Sequence, residues 1–410
     1  MNSASTRVAR PPERLVLIAL LGLGFFFPTS RSGNISTGLV VLHQLMFCAI
    51  VLWLGLKRDA FGSQLQLWNA SFIVVWCTAA TVLSPFSELA IGAASVYFTM
   101  ACLFALDVSH LESFSATALF RGVTVLVLAA AVAVFARNAR VDEFLLANYS
   151  FAYADLLPTM LALQKPVFTF GSHSLAGFFY FLLFYLSFET YRAHKTGVDL
   201  AIAVCCILAG ALLASITSAV LMSWALVLLL LRGGRARLPL LGAFALSLVV
   251  IAWRFQNEIG DFVAVSNMLA ALEFQGSGLS GRFGGGGNLL NNLELIRAQP
   301  FRPTGLSYSA SLFFGDSGPV EYLLRGSLPL LVGVYGGFAL FLWKNLRMRR
   351  HAFMLFAVTF AFEVGMSVLT YHRFAYFLVF AVFYLNSLAS HRETPRGSPS
   401  TVSVVVETPT

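Results

Sequence analysis

Four arginines could bind an anionic group, because each lies directly beside a glycine, a proline or a histidine. They are Arg282, Arg302, Arg325 and Arg373. An arginine side chain presents a planar fork of N–H donors that matches two oxygens of a phosphate. The polar segment 254–317, which contains two of the four, has four basic and five acidic residues, so its net charge is 4 − 5 = −1. Its arginines would therefore act as individually placed groups and not as a basic surface.

Two histidines could take part in the same chemistry. His173 and His372 lie at the starts of apolar segments, where an imidazole can act as a base or contact a phosphate. The alternative is that each is an interfacial histidine without a chemical role. Glu363 lies about 10 Å inside its own apolar segment, and we expect it to form an ion pair with Arg325 or Arg373.

The composition indicates the environment that must position these groups. Hydrophobic residues make up 58% of the 410 residues and charged residues only 11%, whereas soluble domains have about 25% charged residues. Apolar runs recur that are long enough for helices to cross about 30 Å of hydrocarbon. The five cysteines lie inside these runs without metal-ligand spacing, so we predict packing roles and no disulfide. The sequence therefore predicts an all-α polytopic membrane protein.

We predict about twelve transmembrane helices within one integral membrane domain, residues 1–390, followed by a disordered cytoplasmic tail, residues 391–410. The polar residues 215–218 should separate two short helices. No small-x-small cleavage site follows Phe27, so the first segment is expected to be retained. The predicted helices are at 14–28, 38–56, 66–84, 88–106, 118–136, 171–190, 199–214, 216–231, 238–253, 320–343, 352–370 and 374–390.

The distribution of lysine and arginine predicts the orientation. With both termini in the cytoplasm, the strongly basic connections 232–237 and 344–350 also lie in the cytoplasm. Two long loops, 137–170 and 254–319, then lie outside and would form the site. The protein is accordingly expected to cross the membrane several times, with both termini in the cytoplasm.

The long loop has an ordered series of short motifs. Ser280-Gly281-Arg282 precedes four glycines, and residues 288–297 have the apolar spacing of a short amphipathic helix. A proline-rich turn follows at 300–305, and Asp316-Ser317 precedes the apolar segment that contains Arg325. The other outer loop contains Lys165-Pro166 shortly before His173.

This order of motifs, over roughly residues 160–340, resembles the bacterial O-antigen polymerase and O-antigen ligase superfamily. The Gly/Ser-Arg motif of the family corresponds to Ser280-Gly281-Arg282. Polymerases often have Asp-Ser where ligases have His-Asn, and Asp316-Ser317 fits the polymerase version. Lys165 stands where the family usually has arginine.

The resemblance implies a GT-C-like glycosyltransferase with a large periplasmic loop containing short helices. It would transfer glycan from undecaprenyl diphosphate to an acceptor sugar at the periplasmic face, without a cofactor and, as we expect, without a metal. Asp316 would be the base and Arg282 would bind the diphosphate. The further substrate-binding candidates are Lys165, His173, Arg302, Arg325, His372 and Arg373.

Other functions remain open at this point. A ligase would move glycan onto a lipid A core or a protein, a secondary transporter would carry an anionic solute, and a scaffold would only assemble other enzymes. The partners expected for the leading hypothesis are the lipid-linked glycan, membrane lipid, a chain-length regulator and a flippase. No nucleic acid is expected.

Overall fold

The computed structural model describes most of the predicted membrane domain. The described residues are 11–28, 37–58, 60–109, 116–153, 156–213, 215–232, 288–298, 300, 302–308 and 317–393. Arg282, Asp316, the predicted helix 238–253 and residues 394–410 of the predicted tail lie outside them. Residues 391–393, predicted as part of the disordered tail, are helical.

In this part of the chain, helices account for nearly all regular structure. The two strands pair antiparallel, with Glu88 opposite Tyr308 and Leu89 opposite Ser307. A 3-10 turn spans Phe168–Phe170. The elements in chain order are α1 Pro11–Phe26, α2 Thr37–Arg58, α3 Gln64–Val82, β1 Glu88–Leu89, α4 Ile91–Phe104, α5 Thr117–Phe135, α6 Ala139–Tyr153, α7 Leu156–Ala162, α8 His173–His194, α9 Gly197–Leu212, α10 Ile216–Arg232, α11 Asn288–Ala298, β2 Ser307–Tyr308, α12 Gly318–Asn345, α13 Arg349–Glu363 and α14 His372–Glu393.

The helices are those of an all-α membrane protein. Four of them, in α3, α5, α12 and α14, are long and apolar enough to cross a membrane, and five shorter helices are also apolar. Large apolar side chains are exposed on the lateral surface, with Trp68 at 73% and Val82 at 80%. Such a surface suits contact with lipid. The number of twelve transmembrane helices stays a prediction.

Several local predictions are confirmed. Two helices meet near the predicted break: α9 ends at Leu212 and α10 begins at Ile216, so of the residues 215–218 only Ser215 precedes α10. The Ser218 hydroxyl, in the first turn of α10, donates to the Gly210 carbonyl at 2.5 Å. The short helix expected at 288–297 is α11. Two boundaries are wrong. The helix predicted from residue 88 begins at Ile91, because Glu88 and Leu89 pair with β2 instead. The helix predicted at 352–370 is α13, which ends at Glu363, so Glu363 lies at the end of its helix and not about 10 Å inside it.

The helix ends gather at two ends of the bundle. At one, which we call the site end, α1, α3 and α13 end where α4, α8, α12 and α14 begin. Contacts between distant segments join these ends, as between Arg373 and the α1 carbonyls or between Glu363 and Tyr322. At the opposite end, Glu189 forms ion pairs with Arg192 and Arg350.

Helix α12 is broken near the site end. Gly326 (φ −147°) and Ser327 (φ 56°) have non-helical backbone angles. Pro329, two residues later, has no N–H, so it cannot bond the carbonyl four residues earlier, that of Arg325. This carbonyl instead accepts the Gly305 N–H at 2.8 Å. The neighbouring Gly326 carbonyl accepts the Trp76 indole N–H at 2.7 Å.

The docking segment, residues 302–308, fills the space beside this break. Its Thr304 N–H donates to the Leu324 carbonyl at 3.0 Å, and its Leu306 N–H donates to the Thr81 hydroxyl at 2.8 Å. Gly305 has φ +57°, and a Cβ there would lie 2.3 Å from the Thr81 nitrogen. Only glycine fits this position, since both the backbone angle and the space exclude a side chain.

Candidate functional site

Arg325 lies buried at the break in α12, with only 4% of its surface exposed. Its Nε donates to Glu321 Oε1 at 3.3 Å, one turn earlier on the same helix. Its Nη1 donates to the Gly305 carbonyl at 2.8 Å. The guanidinium also lies 5.7 Å from the centre of the Tyr97 ring. A buried charge needs such partners, so this arginine is held in one position by the loop, the helix and α4.

Glu363 has different partners from those expected. Its Oε2 accepts the hydroxyls of Tyr322 at 2.9 Å and Tyr335 at 3.2 Å. Its Oε1 accepts the N–H groups of Val368 and, at 2.7 Å, of Leu369. The predicted ion pair with Arg325 or Arg373 is therefore corrected: phenols and backbone hold this carboxylate, and Arg325 pairs with Glu321.

Arg373 is fully buried and binds the protein's own backbone. Its Nε donates to the Gly24 carbonyl at 2.9 Å, its Nη1 to the Thr169 carbonyl at 2.5 Å, and its Nη2 to the Phe25 carbonyl and, at 2.6 Å, to the Thr169 hydroxyl. The last carbonyls of a helix have no partner within it. Arg373 thus caps the end of α1, and the structure gives no support to its predicted contact with substrate.

Lys165 is a largely buried basic residue for which no ion-pair or hydrogen-bond partner is found among the described residues. It lies between α7 and the 3-10 turn and is only 6% exposed. Burial lowers the pKa of its ammonium group. Burying an ammonium without a counter-charge is unfavourable, so this position is suited to a bound anion.

His372 belongs to a polar cluster between α2, α4 and α14. Its Nε2 lies 3.1 Å from the Ser95 hydroxyl, which donates to Gln44 Oε1 at 2.9 Å. The same oxygen accepts the Thr99 hydroxyl at 2.8 Å. The His372 ring stacks on His43 with centroids 5.4 Å apart. Both rings are buried.

The other predicted residues are less constrained. His173 is half-buried, with Nδ1 3.4 Å from the Met160 sulfur. Arg302 is exposed at the start of the docking segment. Within the described ranges, no group of three His, Cys, Asp or Glu side chains could hold a metal ion. The roles of Arg282 and Asp316 stay predictions, since both lie outside those ranges.

A cavity of about 420 Å³ opens beside these clusters, between α2, α3 and α4. Its inner wall includes Ser95, which contacts His372, and Tyr97, whose ring faces Arg325. Leu306 of the docking segment closes one side. The cavity therefore adjoins two of the predicted site residues.

Sequence reasoning missed several residues of this region, among them Gln44, Ser95, Tyr97 and Glu321. Each is a polar side chain within an apolar segment, and such residues usually face the interior of a bundle. That signal could have identified Gln44 and Ser95 as candidates. It could not have shown that they meet, because they lie 51 positions apart in the chain.

Comparison of the chain with protein families, with curated proteins and with solved structures finds no match.

Proposed function

We propose that this protein polymerises lipid-linked polysaccharide repeat units, as a glycosyltransferase that takes its donor glycan from undecaprenyl diphosphate at the periplasmic face of a bacterial inner membrane. The observation that carries the proposal is Lys165, a largely buried side chain whose ammonium has no hydrogen-bond or ion-pair partner among the described residues. A diphosphate would supply the missing counter-charge.

The proposed reaction has simple requirements. The acceptor hydroxyl loses its proton to a base and its oxygen bonds to the anomeric carbon of the donor sugar. The bond from that carbon to the diphosphate oxygen breaks, and the lipid diphosphate leaves with the electron pair. Asp316 is the proposed base, and Arg282 and Lys165 stabilise the negative charge that develops on the leaving group.

Arg325 is not proposed to bind the diphosphate directly. Its charge is already paired with Glu321 and its Nη1 is bonded to Gly305. We assign it to positioning the docking segment and the Tyr97 ring, with the Lys165 ammonium providing the attraction for the diphosphate.

One observation bears on the transporter alternative. Broken transmembrane helices in transporters often expose backbone groups that bind the solute, and α12 is broken. Here the carbonyls of Leu324, Arg325 and Gly326 accept bonds from the docking segment and Trp76. The break therefore serves internal packing, which favours the transferase.

The test uses a strain that lacks the gene and is complemented with variants. Arg282→Ala and Asp316→Ala should abolish long glycan while membrane protein levels stay unchanged. Arg297→Ala, which removes an exposed arginine of α11, is the matched control and should give a normal ladder. Loss of a polymerase leaves single repeat units on the acceptor, whereas loss of a ligase leaves unattached polymer. Normal ladders from both site variants would contradict the proposal.

A further inference from the structure

The connection between α12 and α13 has a high density of positive charge. Residues 344–350 include Lys344, Arg347, Arg349 and Arg350 and no acidic residue. Arg350 is paired with Glu189 at 3.3 Å. The other three are exposed, at the end of the bundle opposite the site end, and have no acidic partner among the described residues. This surface is therefore suited to an anionic partner.

Buried asparagines hold the connection in one conformation. Asn345 is fully buried, its Nδ2 donates to the Leu106 carbonyl at 3.0 Å, and its Oδ1 accepts the Val108 N–H. Asn386 of α14 donates from Nδ2 to the Asn345 carbonyl at 2.7 Å and accepts the Arg347 N–H on Oδ1 at 3.0 Å. Membrane orientation depends on the number of basic residues in a loop and needs no fixed geometry. This loop presents its cations at set positions.

Arg349 lies at the edge of the apolar lateral surface. The carbon of its guanidinium is 4.2 Å from the centre of the Trp343 ring, and Trp343 is 52% exposed. Phe353 is 68% exposed and lies four residues after Arg349 on α13, which places the two on the same face of the helix. Tryptophans near the ends of transmembrane helices lie at the level of the lipid head groups. The Arg349 cation is therefore at the level where a lipid phosphate meets its hydrocarbon chains.

We propose that Trp343, Arg349 and Phe353 form a binding site for a phospholipid with a net negative head group, such as phosphatidylglycerol. The phosphate oxygens accept N–H groups of Arg349, and the acyl chains lie along Trp343 and Phe353. An acidic protein in the adjoining water would match the cations but would leave both rings uncovered. The occupant is a lipid of the surrounding bilayer and not a substrate, so the inference does not depend on the proposed function.

The geometry of Arg349 suits a phosphate. A guanidinium that packs its face on an aromatic ring keeps the N–H groups of its edge for two oxygens. The charges of Lys344 and Arg347 make the site selective, because they attract a head group with a net negative charge. The head group of phosphatidylcholine carries its own ammonium, which these two cations repel.

The experiment is native mass spectrometry of the purified full-length protein in detergent, titrated with phosphatidylglycerol or with phosphatidylcholine of the same chain length. The wild type should bind phosphatidylglycerol more tightly by about tenfold or more. Each basic residue at a membrane surface attracts an anionic lipid by about 1 kcal/mol, which is about fivefold in affinity. Arg349→Gln should therefore weaken phosphatidylglycerol binding by about fivefold or more and leave phosphatidylcholine binding unchanged.

Two further variants separate the site from general attraction by charge. Trp343→Leu keeps every charge and an apolar side chain but removes the ring beneath Arg349, and it should weaken phosphatidylglycerol binding about threefold. Lys195→Gln is the matched control. Lys195 is an exposed cation at the same end of the bundle and lies 5.3 Å from the centre of the Tyr191 ring, but that ring packs against the core. Its loss should leave phosphatidylglycerol binding unchanged.

All three substitutions are at exposed positions, so we expect each variant to unfold at the wild-type temperature in the absence of added lipid. Weaker phosphatidylglycerol binding in Arg349→Gln and Trp343→Leu, with normal binding in Lys195→Gln, supports the inference. An equal loss in all three variants overturns it, because the attraction would then come from the overall charge of this end. Equal wild-type affinity for the two lipids also overturns it.

A last outcome would assign the surface to a protein partner. If Arg349→Gln binds phosphatidylglycerol normally but cells that carry it make no long glycan, the lipid site is refuted. The binding measurements involve no glycan transfer. Failure of the proposed function would therefore leave this inference standing, and failure of the lipid site would leave the proposed function standing.

Discussion

Replacing Arg373 by methionine tests whether this buried arginine supports the fold or binds substrate. Methionine has a similar length and no N–H donor, so the change removes the bonds to the Gly24, Phe25 and Thr169 carbonyls. The Gly24 carbonyl depends most on the arginine, because no backbone N–H can replace it. Its partner in a continuing helix would be the N–H of residue 28, and that residue is a proline.

The loss of stability in Arg373→Met follows from these contacts. The Phe25 carbonyl still accepts the Thr169 hydroxyl, whereas the Gly24 and Thr169 carbonyls lose their bond to the arginine. Each buried carbonyl left unpaired costs about 1–3 kcal/mol, or roughly 2–6 kcal/mol for two. Removal of a buried charge offsets part of this cost. We expect the free energy of unfolding to fall by about 3 kcal/mol.

The assay is thermal unfolding of the detergent-solubilised protein, with Arg373→Met, Pro28→Ala and the double variant compared. Alanine at position 28 supplies an N–H that the Gly24 carbonyl can accept. Pro28→Ala should therefore recover about 1 kcal/mol in the methionine background and less in the wild type. An Arg373→Met protein that unfolds at the wild-type temperature but makes no long glycan would refute the structural role and restore Arg373 as a substrate contact.

Two further predictions concern stability. Lys165→Met should raise the unfolding temperature, since it removes a partly desolvated charge that has no partner among the described residues, and should abolish long glycan. Because burial lowers the pKa of Lys165, the unfolded chain binds more protons, so wild-type stability should rise as pH increases toward the ordinary lysine pKa of about 10.4. That rise should be smaller in the methionine variant, and equal pH profiles would contradict the assignment. Gly318→Ala should destabilise strongly, since its Cβ would lie 1.7 Å from Glu363 Oε2. Gly92→Ala, whose Cβ meets nothing within 4 Å, should be neutral, and equal unfolding temperatures for these two variants would count against the packing described around Glu363.

The positions of the helices were largely predictable, because apolar length is a local property of the sequence. The presence of a break between α9 and α10 was also predictable from the polar residues 215–218, although Thr217 and Ser218 lie in the first turn of α10. The break in α12 was missed, although Gly326, Ser327 and Pro329 are the residues that interrupt helices. The long apolar segment around them outweighed that local signal.

The partners of the charged residues were less predictable. The sequence places Arg373 next to His372, yet its partners are Gly24, Phe25 and Thr169, which are distant in the chain. Glu321 lies four residues before Arg325, so their pair could have been expected from helical spacing. The pairing of Ser95 with His372 depends on how three helices pack, and a single sequence does not contain that information.

The docking segment and the broken helix compete for the same backbone groups. A residue with an N–H at position 329 would let the Arg325 carbonyl bond within α12, and the Gly305 N–H would then lose its acceptor. Straightening the helix would thus release the end of the long loop, and releasing the loop would favour a straight helix. We therefore expect substitutions at Pro329 and Gly305 to have effects on stability that do not add independently.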